Sequence, residues 1–189
     1  MPHIHDQPGQ YDHTITAFIV RTDGDEPRVL MHMHRKLHKL LPVGGHIEVD
    51  ETPWQAAAHE ISEESGYKLS ELKIMQPHER IRELEGVLLH PQPLAANTHE
   101  ITATHAHSDV SYALLAEGAP TGQPNEGESA DIRWFTRAEL QSLTRDEIWP
   151  NTVQACEFIF DIALPNWEQV PTDRFTLQSA AEFYVAFNK

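Results

Sequence analysis

The sequence predicts a single α/β domain with a mixed sheet. First, short apolar stretches of strand length alternate along the chain with segments of helical period. Second, 189 residues with 40% hydrophobic content can bury one core of moderate size. Third, the chain shows no repeat of 20 to 50 residues and no long low-complexity segment. We therefore expect one domain over residues 1–189.

The strand candidates are spread along most of the chain. Residues 14–20 and 28–35 flank the turn TDGDEP and predict a β-hairpin. Residues 42–45, PVGG, predict a loop whose glycines adopt unusual backbone angles or let a ligand approach closely. A second loop, rich in Gly, Pro and acidic residues, is predicted at 116–130. The remaining strand candidates are ELKIMQP, GVLLHPQPL, EITATHAHSDVSYALLA and DIRWF.

Two helices have clear start signals. Thr52 is a favourable N-cap, Pro53 suits the first helical position, and Gln55 can close a capping box. Gly66 is a typical C-terminal stop, so the helix is expected over residues 53–65. The segment TRAELQSL predicts a second helix, again opened by a capping box.

Composition excludes several classes of function. The formal charge of −15 argues against binding a nucleic-acid polymer, which requires clustered Lys and Arg. No apolar run approaches the roughly 20 residues that span a bilayer, and the first residues have no apolar signal region, so we expect a cytoplasmic protein without a membrane partner. The single cysteine, Cys156, lies in an apolar stretch and is expected to be a buried thiol.

The first predicted helix carries an unusual concentration of acid. Its core-facing stripe, spaced i, i+3, i+4, i+7, consists of Trp54, Ala57, Ala58 and Ile61. Glu60, Glu63 and Glu64 lie beside that stripe, at the edge of the core, and no Lys or Arg occurs between residues 40 and 67. Like charges this close require a cation or raised carboxyl pKa values. Mg²⁺ or Mn²⁺ would suit such oxygen ligands.

These residues belong to a longer pattern. The segment GHIEVDETPWQAAAHEISEESGY, residues 45–67, resembles the Nudix box, G-x₅-E-x₇-R-E-U-x-E-E-x-G-U, where U is a bulky residue. The residues in register are Gly45, Glu51, Glu60, Ile61, Glu63, Glu64, Gly66 and Tyr67. The one departure is His59, where the family has arginine. The resemblance implies a Nudix-type α/β/α sandwich over about residues 14–143. It does not cover residues 144–189, where we expect a C-terminal helix and a family-specific extension.

The resemblance also implies an activity. Nudix proteins mostly hydrolyse a diphosphate joined to another moiety, usually a nucleoside, with Mg²⁺ or Mn²⁺. The implied metal ligands are Glu60, Glu63, Glu64 and a backbone carbonyl of Gly44 or Gly45, and Glu51 would organise the loop around them. The implied general base is Glu60, Glu63 or a later-loop glutamate, Glu126 or Glu128. His59 would keep part of the arginine's orienting role through an i, i+4 contact with Glu63.

Two further groups are substrate-binding candidates. Arg35, Lys36 and Lys39 form the densest basic patch in this acidic chain and are candidates for phosphate contacts. A second set shares one strand face under two-residue alternation and could line the pocket or hold a second metal: His105, His107 and Asp109.

Other functions stay open at this point. Isopentenyl-diphosphate isomerases share the implied fold but use a catalytic cysteine, and a third class is a non-catalytic nucleotide-binding domain. Residues 165–189 could be a dimer arm, so a homodimer is compatible with the sequence. The expected partner is otherwise a small-molecule diphosphate, and its identity is left open.

Overall fold

A mixed β-sheet organises the molecule. A computed structural model describes residues 9–187. Its strands are β1 Tyr11–Arg21, β2 Arg28–Met33, β3 Leu40–Leu41, β4 Val43–His46, β5 Leu72–Gln76, β6 Ala95–Thr102, β7 His105–Ala116, β8 Ile132–Thr136 and β9 Glu168–Pro171. Its helices are α1 Pro53–Ser65, α2 Arg137–Ser142, α3 Pro150–Phe158, α4 Leu164–Asn166 and α5 Ala180–Phe187, with a π-helical segment, Ile159–Ala163, joining α3 to α4.

The strand order confirms the predicted mixed sheet. The main path runs β3-β2-β1-β7-β5-β9, and β4, β6 and β8 pair with β1, β7 and β2. The long central strands β1 and β7 are parallel over their whole length, and the other pairings are antiparallel. β9 belongs to the C-terminal extension, so that extension contributes an edge strand to the same sheet.

The sheet is covered on both faces, which confirms the α/β/α sandwich. One core cluster lies between the sheet and α1; its members include Ile15, Ile19, Trp54, Ile61 and Tyr112. The other lies on the opposite face, under α3; its members include Phe18, Val20, Met31, Cys156 and Ile159. Because side chains alternate along a strand, consecutive residues of β1 contribute to different clusters.

Helix α1 begins and ends where the sequence predicts. Thr52 caps it, the capping box with Gln55 is closed, and Gly66 ends it in the left-handed region at φ 76°. Trp54 and Ile61 are fully buried as expected, although Ala56 is buried in addition to Ala57 while Ala58 is only half-buried. The second capping box, between Thr136 and Glu139, is also present.

Two local expectations are wrong, and a third is confirmed with fewer pairs than a long hairpin would have. The segment VGGH is a strand paired with β1, not a loop, and neither Gly44 nor Gly45 has a positive φ. Residues 86–94, GVLLHPQPL, are irregular instead of forming a strand. The predicted hairpin is real but shallow, since β1 and β2 pair only at Val20–Val29 and Arg21–Arg28, and β4 takes the place beside the first half of β1.

The C-terminal extension folds back onto α1. Phe175 lies edge-on to Trp54, with 6.0 Å between ring centroids, and Gln55 Nε2 donates to the carbonyl of Leu177 at 3.0 Å. Residues 175–177 therefore cover the N-terminal half of the acidic helix. None of the helices in residues 9–187 combines the length and the apolar character that crossing a bilayer requires.

Candidate metal and diphosphate site

The acidic helix α1 packs against the two glycines of β4. Glu60 and Glu64 are almost fully buried, with 4% and 7% of their surface exposed, whereas Glu63 is half-buried. The Gly44 N–H donates to Glu64 Oε2 at 2.9 Å. Two neighbouring carboxylates are therefore held against the backbone of β4.

The glycines are required by close approach. A Cβ on Gly45 would overlap the carboxyl group of Glu60, and a Cβ on Gly44 would overlap the carbonyl oxygen of Ile15 on β1. The sequence predicts that these glycines allow close approach, and they do. The groups that approach them are the Glu60 carboxylate and the backbone of β1. Any side chain at position 45 would push Glu60 out of its place.

The buried carboxyl groups resist ionisation. Burial raises the pKa of Glu60 to about 7, with smaller contributions from neighbouring carboxylates. Burial likewise raises the pKa of Glu64 to about 8, against the opposing effect of the hydrogen bond from Gly44. In the part of the chain that the structure describes, neither group forms an ion pair with Lys or Arg. The donor set therefore fits a divalent cation, which would replace the missing positive charge.

His59 connects two further carboxylates. Its Nε2 lies 3.2 Å from Glu63 Oε1, the i, i+4 contact that the sequence predicts, and its Nδ1 lies 3.4 Å from Glu51 Oε1. Burial lowers the pKa of His59, but the charge of Glu63, its hydrogen bond and the charges of Glu51 and Glu60 together raise that pKa above 6.5. His59 thereby links Glu51 in the loop to Glu63 on the helix.

The later loop reaches the end of α1. Asn125 donates from Nδ2 to Glu63 Oε1 at 2.9 Å and from its backbone N–H to the Glu63 carbonyl at 2.7 Å. Glu128 lies close enough to raise the pKa values of both Glu60 and Glu64. Glu126 is exposed, and no such effect on the buried pair links it to the site. Of the two later-loop candidates, Glu128 is the one whose charge acts on the buried pair.

The three residues of the basic patch, Arg35, Lys36 and Lys39, lie in different environments. Arg35 donates from Nη1 to the carbonyl of Gly127, directly before Glu128, so its guanidinium borders the site. Lys36 is exposed. Lys39 donates from Nζ to the carbonyls of Arg145 and Asp146 at 2.8 and 3.0 Å, which uses its ammonium group to hold another loop.

His32 is a site residue that sequence reasoning missed. Its Nε2 lies 3.6 Å from Glu64 Oε2, and the ring is 3% exposed. Burial, with the neighbouring His34, lowers the pKa of His32 to about 4, so the ring is neutral at pH 7. The contact joins β2 to α1 across 32 residues of sequence, which no local spacing indicates.

A second polar cluster lies on the other face of the sheet. His105 and His107 do share a strand face with Asp109, as predicted, but Asp109 accepts hydrogen bonds from hydroxyl groups and an amide. The carboxylate that groups with His105 and His107 is instead Asp12, which sequence reasoning missed. Its Oδ2 lies 3.2 Å from His105 Nε2 and 3.3 Å from the Nε2 of a third histidine, His46.

An open cavity of about 480 Å³ lies at the first end of β1. Its lining residues are Gln10, Tyr11, His13, Thr98 and Ser108. None of the α1 carboxylates contributes to it, although the carbonyl of His13 accepts a hydrogen bond from the N–H of Ile47, close to the Glu51 loop.

Comparison with known families agrees with this geometry. The NUDIX domain family matches residues 12–155, which is most of the chain. The chain belongs to the Nudix hydrolase family. The match includes both glycines, the Glu51 loop, the whole of α1 and the later loop with Glu128. A comparison with curated proteins finds no match.

Solved structures show the same fold. A NUDIX-family hydrolase from Clostridium perfringens is 27% identical, with a TM-score of 0.66, and the alignment covers 81% of this chain and 98% of that one. The C. elegans Ap4A hydrolase is 15% identical, with a TM-score of 0.56 and coverage of 78% and 95%. The E. coli dihydroneopterin triphosphate pyrophosphohydrolase is 18% identical, with a TM-score of 0.55 and coverage of 82% and 98%.

The cysteine of this Nudix chain has no place in the site. Cys156 is fully buried in the core cluster under α3, on the face opposite α1. Burial raises the pKa of its thiol far above the usual range, so the reactive thiolate is suppressed. The prediction of a buried structural cysteine is confirmed.

Proposed function

We propose that this Nudix chain is a metal-dependent hydrolase that cleaves a diphosphate linkage in a nucleoside diphosphate-X type substrate. One observation carries the proposal: Glu60 and Glu64 are buried against Gly44 and Gly45, and the described residues give them no Lys or Arg ion pair. Glu60, Glu63 and Glu64, with a carbonyl of Gly44 or Gly45, would hold Mg²⁺ or Mn²⁺. When bound, the cation would neutralise the diphosphate and orient water for attack at phosphorus.

The protein side chains have separate tasks in this proposal. Glu51 and Glu63 are kept in position by His59, which contacts both. Glu128 is the preferred general base, because it is half-buried next to the buried pair and is not itself one of the implied metal ligands. It would accept the proton of the attacking water. Glu60 and Glu63 remain the alternative bases that the family pattern implies.

Arg35 would contact the substrate phosphates. Its guanidinium lies beside Gly127, so it flanks the loop that carries Glu128. A guanidinium can bind a phosphate through two hydrogen bonds. Lys36 would provide a second, mobile charge, while Lys39 already binds two backbone carbonyls and is the weakest of the three candidates. The Ap4A and dihydroneopterin triphosphate activities named for two similar structures support a nucleotide-like phosphoanhydride as the substrate class.

A turnover panel tests the function. The protein is incubated with Mg²⁺ or Mn²⁺ and with nucleoside diphosphate-sugars, dinucleoside polyphosphates and nucleoside triphosphates, and products are identified by mass. Reaction in ¹⁸O-labelled water should place one label on a product phosphate. Glu63→Gln should reduce turnover by about 100-fold or more. The matched control is Ser62→Ala, an exposed neighbour on the same helix, which should keep wild-type turnover.

The two alternative functions give different results in the same panel. A non-catalytic domain would bind a nucleotide in calorimetry without releasing product, and Glu63→Gln would match the wild type in every reaction. A diphosphate isomerase would change substrate structure without taking up the label. Absence of turnover with all substrate classes and both cations would reject the hydrolase proposal for those classes.

A further inference from the structure

The polar cluster on the sheet face opposite α1 combines a carboxylate with several imidazoles. We call it the Asp12 cluster, consisting of Asp12, His46, His105 and His107. Three strands supply these residues: β1 gives Asp12, β4 gives His46 and β7 gives both other histidines. The strand register brings them together, because Asp12 is paired with His107 and Thr14 with His46.

The donor atoms converge closely. Asp12 is fully buried, and its Oδ2 lies 3.2 Å from His105 Nε2 and 3.3 Å from His46 Nε2. One donor atom from each of Asp12, His105 and His107 lies within 4.8 Å of the other two. Tetrahedral coordination with metal–nitrogen bonds of 2.0 to 2.1 Å requires donor separations of roughly 3.3 Å. Small side-chain rotations would therefore close the set around an ion.

The surroundings hold the imidazoles in position. The His107 ring is edge-on to three other histidine rings, at centroid distances of 5.2 Å to His46, 5.4 Å to His105 and 5.5 Å to His99. At the rim, His99 Nδ1 lies 3.0 Å from Asn97 Oδ1, and Asn97 in turn donates to Asp109. These hydrogen bonds fix His99, and the His99 ring packs against the ring of His107.

We propose that Asp12, His105 and His107, with His46 as the fourth donor, form a second metal site that binds a transition-metal ion of the Zn²⁺ class. Nitrogen-rich donor sets favour such ions. Mg²⁺ and Mn²⁺ prefer oxygen ligands, which the glutamates of the proposed hydrolase site on α1 supply; we call that site the α1 site. The ion would join the first end of β1 to β4 and β7. Because His46 follows Gly45 directly, it would also fix the end of the strand that carries the α1 site.

Calorimetric titration of the tag-free full chain with Zn²⁺, in excess Mg²⁺ to occupy the α1 site, tests the proposal. The wild type should bind one Zn²⁺ ion, and the double variant His105→Gln/His107→Gln should bind it at least 100-fold more weakly. His13→Gln is the matched control, since His13 is an exposed neighbour of Asp12 on the same strand. It should keep wild-type affinity, and Glu63→Gln should do so as well, which separates this site from the proposed hydrolase site.

A spectroscopic measurement on the wild type does not depend on how well the variants fold. X-ray absorption of the Zn²⁺-loaded protein should show the multiple scattering of at least two imidazole ligands, and the midpoint of thermal unfolding should rise on loading. The proposal is overturned if bound Zn²⁺ has only oxygen ligands, if the double variant binds it as tightly as the wild type, or if the wild type binds none under these conditions.

Discussion

The two faces of β4 present different donor groups, although the residues that create them are neighbours in the chain. Gly45 faces α1 and leaves room for the carboxylate of Glu60. His46 faces the other way, and its imidazole approaches Asp12. One residue along a strand reverses the direction of the side chain, so a single step separates an oxygen-rich site from a nitrogen-rich one. The family motif and the histidine cluster therefore have one strand, β4, in common.

The largest expected effects come from replacing Gly44 or Gly45 by alanine, which adds one methyl group. Gly45→Ala should keep the fold, because the overlapping atoms belong to the mobile end of Glu60, but activity should fall by about 100-fold as that carboxylate is displaced. Gly44→Ala should instead destabilise the protein, because its Cβ would meet the backbone of β1. Turnover and thermal unfolding of both variants distinguish these outcomes, with Gly118→Ala, which has open space around it, as control.

Gly45→Ala should not weaken Zn²⁺ binding as strongly as it weakens turnover. Equal weakening of both would mean that the two faces of β4 form a single site.

As the pH rises, the metal-free protein should lose stability, whereas the binding of Mg²⁺ to Glu60 and Glu64 should become stronger. Because the folded-state pKa values of Glu60 and Glu64, about 7 and 8, exceed the usual 4.5, their contribution to stability is fully present below pH 4.5 and is lost as the pH rises through 7 and 8. Mg²⁺ competes with those protons, so its affinity should rise by up to about tenfold per pH unit for each proton displaced.

Chemical unfolding at pH 5 to 8.5, with and without Mg²⁺, measures both trends. The stabilisation by Mg²⁺ should grow with pH, and Glu60→Gln should flatten the metal-free profile. A Mg²⁺ affinity that is constant between pH 6 and 8.5 would contradict the protonated state of the buried pair.

A smaller effect is expected at His59, which is partly exposed and acts through its neighbours. His59→Gln should lower turnover by about threefold to tenfold, because Glu51 and Glu63 lose the group that joins them. In the wild type this support is present below the raised pKa of His59 and weakens as the pH passes it. His59→Arg should remove that step from the pH–rate profile, since arginine stays charged. An unchanged rate and profile in His59→Arg would show that position 59 has no orienting role.

The smallest effect on activity is expected on the opposite side of the sheet. Cys156→Ala should leave turnover unchanged, because the thiol is buried in the core under α3 and does not contact the site. Stability should fall by about 1–2 kcal/mol from lost packing. Turnover assays and denaturant titrations measure the two quantities, and Cys156→Ser serves as the variant of similar volume. Loss of turnover in a well-folded Cys156→Ala protein would show that the thiol contributes to the reaction.

Short-range sequence signals predicted the elements that depend on interactions between residues close together in the chain. The capping residues Thr52 and Gln55 and the stop at Gly66 gave the bounds of α1, and the absence of basic residues near its glutamates indicated a site for a cation. The sequence pattern failed where pairing with a distant strand overrides local preference. PVGG is predicted to be a loop because of its glycines, but β1 provides hydrogen-bond partners that make residues 43–46 a strand.

The same distinction applies to the residues of the two sites. The sequence by itself determined the family, because the Nudix box is a pattern of residues at fixed spacing. It also determined the acidic helix and its glutamates, because the period of a helix places those side chains on adjacent stripes. Only the tertiary structure brought Asp12 and His46 to the histidines of β7, or His32 to Glu64. These contacts depend on strand register across tens of residues, and register is set by how the whole sheet buries its two faces.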